Sequence, residues 1–352
     1  MGLVSHSIGK EGRSLYRILH APLDIAGQAG LMCDQLNRLG CFASAYNYYP
    51  TYLNYRNRCI VTDAYQLQKM FHRAARAFDI FHFHNGLSFF TDFRDIRWLR
   101  ESGKTVIMHH RGNDVRFSRQ SKQGNKLANP YVWTGSSLPD ETIDRNLRFF
   151  ADYVDLALVQ DYELYRYVED YYKRVVVLPR LIEIDRVPLQ LPSANKRIPL
   201  VVHAPTDRQF KGSDIIIRTV RELQRKHQFA FVLIERMSHR EATRYLHQAD
   251  IVIDQILCGA YGNVSVEAMA AGKPVIAYIH PELADTYPPG MPVVSANPDT
   301  LRAVLAHLLS EPELRRKLGR QGRDYAKAHH DARTVTFQLL SLYGSTMAAT
   351  KF

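Results

Sequence analysis

Three kinds of side chain in this sequence stand where they could do chemistry. The first is a lone carboxylate. In YGNVSVEAMAAGKPVIAYI, Tyr261 to Ile279, Glu267 falls about one turn inside a short helix of small residues. Gly262 and Asn263 let the backbone turn tightly ahead of it and expose amide donors at a helix amino end, a ready anion seat. Glu267 then has two readings. It is a first-turn acid favoured by the helix dipole, or a carboxylate that accepts two hydroxyl hydrogen bonds from a ribose. The second kind is cationic. Lys211 and Gly212 open another helix, where ammonium and amides would converge on phosphate; the plain alternative is a solvated lysine. The third kind is imidazole. His109 and His110 end a strand, and alternation points them to opposite faces, one to a cleft and the other to the core or a helix. His82 and His84 of HFH share a face, as metal ligands could. No cysteine or carboxylate with matching spacing completes a set, so no metal is expected.

The elements that must position these groups alternate between strands and helices. In the first half the strands read Leu15–His20, Phe42–Tyr46, Ile80–His84, Thr105–His109, Leu156–Gln160 and Val175–Leu178. Helical stretches such as GLMCDQLNRLG, QLQKMFHRAARAF, FRDIRWLRESG and ELYRYVEDYY lie between them. In the second half they read Leu200–Ala204, Ala230–Ile234, Ile251–Asp254, Val275–Ala277 and Val293–Ser295. In SDIIIRTVRELQRKH, Ile216, Val220 and Leu223 form one buried stripe. Gly272 should stop the Val264–Ala271 helix and Pro274 should keep it stopped.

Such alternation builds parallel sheets covered on both faces. Eleven or so strands are too many for one sheet, so two are expected. The break falls in EIDRVPLQLPSANKRIP, where periodicity is lost. The expected organisation is a first Rossmann-like domain over residues 1–182, a linker at 183–198, a second such domain over 199–330, and a final helix at 331–352. The fold class is α/β, with two doubly wound parallel-sheet domains whose strand ends face one cleft, where such folds bind ligands.

Composition narrows the partners. The chain has 352 residues, is 46% hydrophobic and carries a formal net charge of +11. Those values suit a soluble two-domain protein that meets an anion. The apolar runs are strand-sized, so no membrane span is expected, and MGLVSHSIGKEGRSLYRILHAP lacks an apolar signal core. Cys33, Cys41, Cys59 and Cys258 show no zinc spacing and read as reduced thiols of a cytoplasmic protein. No nucleic-acid module is recognisable. YNYYPTYLNYRNR, Tyr46 to Arg58, could stack an acceptor sugar or touch lipid headgroups. The basic face of Lys69, Arg73 and Arg76 follows it; the plain reading is a solvated face beside the buried strip Leu67, Met70, Phe71 and Ala74.

NVSVEAMAAGKPVIA resembles the donor-site segment of retaining glycosyltransferases of family 4, the group 1 type with the GT-B fold. HAPLDIAGQAG, MHHRGNDVR and HAPTDRQFKGSD agree with that family in order and spacing, and HHDARTVTFQLLSLY resembles its final helix, which crosses back to the first domain. The resemblance implies a nucleotide-sugar donor, a sugar, lipid-linked or other small-molecule acceptor, no cofactor or metal, and a cytoplasmic location that admits peripheral contact with the inner membrane surface.

Site roles follow from the same resemblance. Glu267 would hold the donor ribose. Gly262, Asn263 and Val264 would meet the diphosphate through their amides, with Arg208 and Lys211 neutralising it. Gly27 and Gln28, after the first strand, would approach the same diphosphate, or form an ordinary turn. His109, or else His110, would contact the donor sugar or the oxocarbenium-like centre. Asp114 and Arg116 would bind acceptor or cap a helix. The family motif has a glutamate at the place of Gly259. Asp254-Gln255 with Tyr261-Gly262 fits a variant of that motif, in which Asp254 would take a polar catalytic role. Two rivals stay open: a non-hydrolysing sugar-nucleotide epimerase, and a non-catalytic nucleotide-sugar-binding homologue.

Overall fold

The structure, a computed structural model, describes residues 15–55, 59–122 and 134–350. The start of the chain and Arg56 to Arg58 of the tyrosine-rich segment lie outside the described residues. The strands of the first half are β1 (Arg17–Ala21), β2 (Phe42–Asn47), β3 (Cys59–Val61), β4 (Ile80–His84), β5 (Thr105–His109), β6 (Leu156–Val159) and β7 (Val175–Val177). They form one parallel sheet in the order β3-β2-β1-β4-β5-β6-β7. Those of the second half are β8 (Leu200–His203), β9 (Ala230–Leu233), β10 (Ile251–Ile253), β11 (Val275–Ala277) and β12 (Val294–Ser295). They form a second parallel sheet, β12-β11-β10-β8-β9. Two doubly wound sheets therefore replace one large one, as the alternation predicts.

Side-chain alternation explains how the first sheet buries both faces. Leu19, Phe81, Phe83, Val106 and Met108 point into one core. Ile18, Ile80 and Ile107 point into the other, under the helices Gln28–Arg38 and Ala332–Thr350. The Ala332–Thr350 helix brings Val335, Leu339 and Tyr343, all fully buried, onto that second core. The chain thus ends on the first sheet, after Pro312–His329 has packed on the second domain, where Gly322 lets the backbone approach Met269.

Two local expectations need correction. QLQKMFHRAARAF is two helices, Ala64–Lys69 and Phe71–Ala77, with Met70 between them. Leu67, Phe71 and Ala74 are nevertheless the buried strip. β3 is an additional strand. It is three residues long at a sheet edge, with Ile60 and Val61 exposed, so no apolar run announces it. Gly272 does end its helix, in the left-handed conformation at φ 77° that favours glycine. The four cysteines are all free thiols.

Candidate active site

The carboxyl ends of both sheets look onto one cleft. A cavity of about 300 Å³ lies between Asp24, Tyr52 and Tyr55 of the first domain and Lys211, Asn263 and Glu267 of the second. A neighbouring cavity of about 510 Å³ shares Tyr55, Asn263 and Glu267 and is walled by Gln28, Arg186 and Arg244. Glu267 opens into both. Its Oε1 lies 3.2 Å from His239 Nε2. Tyr55 covers that imidazole, with ring centroids 4.3 Å apart. The His239 amide donates to the Leu53 carbonyl across the cleft at 2.7 Å. Burial, with Glu267 and Asp24 nearby, holds the Tyr55 phenol well above its usual value. The sequence reading holds Tyr55 only as one residue of the tyrosine-rich segment and misses His239. Nothing local pairs them, because they meet only through the domain contact.

Gly262 caps the Asn263–Ala270 helix with extended rather than left-handed backbone, at φ −101°. Its glycine is required by crowding instead. A Cβ there would lie 2.8 Å from Asp254 Oδ2 and 2.9 Å from Lys211 Nζ. The anion seat expected at this helix end already holds a carboxylate. Asp254 Oδ2 accepts from the Gly262 amide at 2.7 Å and from Ser265 Oγ at 2.6 Å. Lys211 Nζ donates to Asp254 Oδ1 and to Gln255 Oε1, each at 2.7 Å. Burial pushes the Asp254 carboxyl up, but the Lys211 ammonium and these donors outweigh it and hold the group below the ordinary carboxylate range. Lys211 is therefore no solvated helix-start lysine, nor is its charge free. Arg208 is likewise paired, through NH2 to Glu235 Oε2 at 2.8 Å. Asn263 keeps a buried side-chain oxygen with no partner, at the wall of both cavities. Val264 lines the smaller one.

On the first domain, Gly27 takes the left-handed conformation and caps the Gln28–Arg38 helix. Gln28 spans to the backbone of Leu181, donating to its carbonyl at 3.0 Å and accepting from its amide at 2.8 Å. This clamp ties the loop after β1 to the chain that leaves the first domain. His109 and His110 do point to opposite sides, yet both are fully buried, so neither side chain presents itself to the cleft. His110 bonds Asp114 Oδ2 at 2.7 Å and Tyr172 at 2.8 Å. Asp114 also accepts from the Arg111 and Gly112 amides, which closes the turn after β5. Arg116 grips Glu163 with Nε and NH2, each at 2.8 Å from an oxygen. Its guanidinium lies 4.9 Å from the Phe210 ring of the second domain. Arg116 thus braces the domain contact.

His109 faces a cluster that the sequence reading did not assemble. HFH lacks a third ligand only along the chain. Parallel pairing of β1 with β4 sets His20 beside His82, and His20, His82 and His84 offer ligand atoms within 4.8 Å of one another. His82 also reaches His109, and Tyr343 of the last helix reaches both His82 and His20. The third member is a histidine, which a search for a cysteine or carboxylate at matching spacing does not find.

The class of protein now follows from the architecture. Two Rossmann-like domains facing across a cleft constitute the GT-B fold. Solved structures of that fold superpose along nearly the whole chain. Sucrose-phosphate synthase from Thermosynechococcus elongatus does so with a TM-score of 0.63 at 16% identity, covering 94% of this chain and 99% of its own. Anabaena HepE in complex with UDP-glucose gives 0.63 at 12% identity, over 94% and 100%. An alpha-glucosyltransferase bound to UDP-glucose and DNA containing an abasic site gives 0.55 at 10% identity, over 93% and 99%. Within the chain, residues 220–325 match the family described as glycosyl transferases group 1. That segment contains Asp254, Gly262 and Glu267. None of the curated protein sequences compared with the chain matches it.

Proposed function

We propose that this protein is a nucleotide-sugar-dependent glycosyltransferase of the family 4 kind that transfers its sugar with retention and without a metal. One observation carries the reading. Glu267, inside the segment that matches the group 1 family, is the carboxylate that opens into both cavities of the interdomain cleft. There it can accept two hydroxyl hydrogen bonds from a ribose once His239 yields its place. The nucleotide rests on the second domain and the acceptor on the first. Tyr49 and Tyr52 are exposed beside the cleft and offer faces on which a sugar stacks. Domain closure excludes water and limits donor hydrolysis. Since Lys211 and the Gly262 amide serve Asp254, the Asn263 and Val264 amides are the donors left at that helix end for a diphosphate. The acceptor is a sugar, a lipid-linked sugar or another small molecule, with no nucleic acid. The protein acts in the cytoplasm and can touch the inner membrane surface. Among the described residues no helix is long and apolar enough to cross a membrane.

A thermal-shift screen of nucleotide sugars tests the reading, because a ligand that binds only the native state raises its melting temperature. Selective stabilisation by one donor supports it; a flat screen at millimolar donor sinks it. A second reading, a non-catalytic nucleotide-sugar-binding homologue, is favoured by Gly259. That residue sits at φ 85°, and a Cβ on it would lie 3.0 Å from His280 Cβ. The backbone there is shaped against any larger residue, the family glutamate included. Donor binding with no turnover in the presence of sugar acceptors is the outcome that selects this second reading.

A further inference from the structure

Four basic side chains at the strand ends each hold a carboxylate: Lys211 with Asp254, Arg208 with Glu235, Arg116 with Glu163 and Arg180 with Asp161. Arg111, just past β5, is different. It is 8% exposed, yet no carboxylate oxygen of the described residues lies within 4.0 Å of its guanidinium. Its Nε is buried without a partner. Burial pushes it down to about 10, which still leaves it charged at neutral pH. Asp24 and Asp114 act on it only at longer range, and a buried guanidinium with no carboxylate in contact is unfavourable unless something nearer stabilises it.

What stabilises it is a neutral chain with one direction. Arg111 NH2 lies 3.5 Å from His84 Nδ1, and a guanidinium can only donate, so that nitrogen accepts. Neutral His84 then carries its proton on Nε2 and donates to His20 Nδ1 at 3.1 Å. His20 in turn donates from Nε2 to the Tyr343 oxygen at 3.1 Å. The Tyr343 hydroxyl donates to His82 Nδ1 at 2.7 Å, and His82 Nε2 donates to His109 Nδ1 at 3.3 Å. The chain ends at His109 Nε2, a buried donor without a partner. All four imidazoles are fully buried, and burial holds each well below its usual value, so they are neutral. Every link accepts on the side that leads back along the chain to Arg111. The acceptor end of such a chain stabilises a cation without cancelling its charge, as the carboxyl end of a helix does.

We propose that Arg111 binds an anionic oxygen, phosphate or carboxylate, of a ligand entering the interdomain cleft, and that His84, His20, Tyr343 and His82 position it as a neutral strut. Arg111 follows β5, whose carboxyl end looks onto the cleft, and Asp24, which lines the smaller cavity, is one of the charges that act on it. Asp24 itself accepts from the Ala29 amide at 2.9 Å. The proposal rests on the transferase reading only for the identity of the ligand. Either the diphosphate of the donor or a charged group on the acceptor could supply the oxygen. The rival is a transition metal in the His20, His82 and His84 trio. It would need lone pairs that the chain spends on hydrogen bonds, and it would sit beside a guanidinium.

Calorimetry on the full chain separates these cases, with inorganic pyrophosphate, glucose 6-phosphate and uridine as probes. Wild type should bind at least one of the two anions, and Arg111→Gln should weaken that binding by about tenfold or more while leaving uridine unaffected. A loss confined to pyrophosphate assigns the site to the donor; one confined to glucose 6-phosphate assigns it to the acceptor. Arg111→Lys keeps the charge and should retain part of the affinity, which separates anion binding from misfolding. Nitrogen NMR should show all four histidines protonated on Nε2. In Tyr343→Phe, which cuts the chain, His82 should lose that single tautomer and the anion should bind more weakly. The proposal is overturned if wild type binds neither anion, if Arg111→Gln binds both as tightly as wild type, or if His84 carries its proton on Nδ1. A stoichiometric metal that is lost in His82→Ala also overturns it. If pyrophosphate binding depends on Arg111 while no nucleotide sugar binds, the anion site stands and the transferase reading falls.

Discussion

Replacing Asp254 by alanine removes the acceptor of three donors at once: Lys211 Nζ at 2.7 Å, the Gly262 amide at 2.7 Å and Ser265 Oγ at 2.6 Å. Asp254 and Lys211 are both buried, so water cannot take its place. The ammonium would keep only Gln255 Oε1. Breaking a buried pair by deleting one partner costs about 3–5 kcal/mol, a large share of the stability of a domain. Denaturant unfolding followed by circular dichroism measures it. Lys211→Met should also destabilise, by leaving the carboxylate uncompensated. The double change, Asp254→Leu with Lys211→Met, should destabilise by clearly less than the sum, since two apolar groups replace the pair. The pH dependence has a definite sign. The folded Asp254 carboxyl is held below its ordinary value, so its contribution is present above the unfolded carboxylate pKa of about 3.9 and is lost as pH falls through the lower folded value. The gap between wild type and Asp254→Ala should therefore close only in acid below about pH 4. A loss under about 1 kcal/mol, or strict additivity in the double variant, would refute the view that Asp254 occupies the anion seat as a structural partner of Lys211.

Glu267→Ala should weaken binding of the stabilising nucleotide sugar by about 1.5–3 kcal/mol, the worth of hydrogen bonds to a charged acceptor, while the melting temperature without ligand stays near that of wild type. Equal donor affinities by calorimetry would remove Glu267 from the site. Sugar transfer should persist in EDTA, because no acidic DxD-type pair stands out in the sequence; complete loss that magnesium or manganese restores would show metal handling of the leaving group. If the acceptor is lipid-linked, the face of Lys69, Arg73 and Arg76 should draw the protein onto anionic vesicles at low salt and release it as salt rises, each basic residue contributing on the order of 1 kcal/mol. Equal, negligible sedimentation with anionic and neutral vesicles would leave Tyr49 and Tyr52 as a platform for a soluble acceptor.

Local sequence determines what local physics controls. Apolar runs of strand length between amphipathic helices dictate parallel sheets covered on both faces, and the aperiodic stretch after Glu183 separates two of them. Gly272 marks its helix end because left-handed backbone favours glycine there. Glu267 is legible as a carboxylate near a helix amino end because a single turn of chain places it. Alternation alone sends His109 and His110 apart. The tertiary structure decides everything that depends on which distant segments meet. His20 joins His82 because β4 pairs with β1. Asp254 reaches Lys211 because β8 and β10 are neighbours, and their carboxyl ends bring the two residues together. Tyr55 covers His239 because the two domains approach each other. Periodicity reports which face a side chain takes, but strand order and domain closure are set by the packing of the whole chain. That is why Lys211 reads as a free cation in the sequence and is an ion pair in the fold, while Arg111 carries no local signal and is a buried guanidinium with no carboxylate in contact.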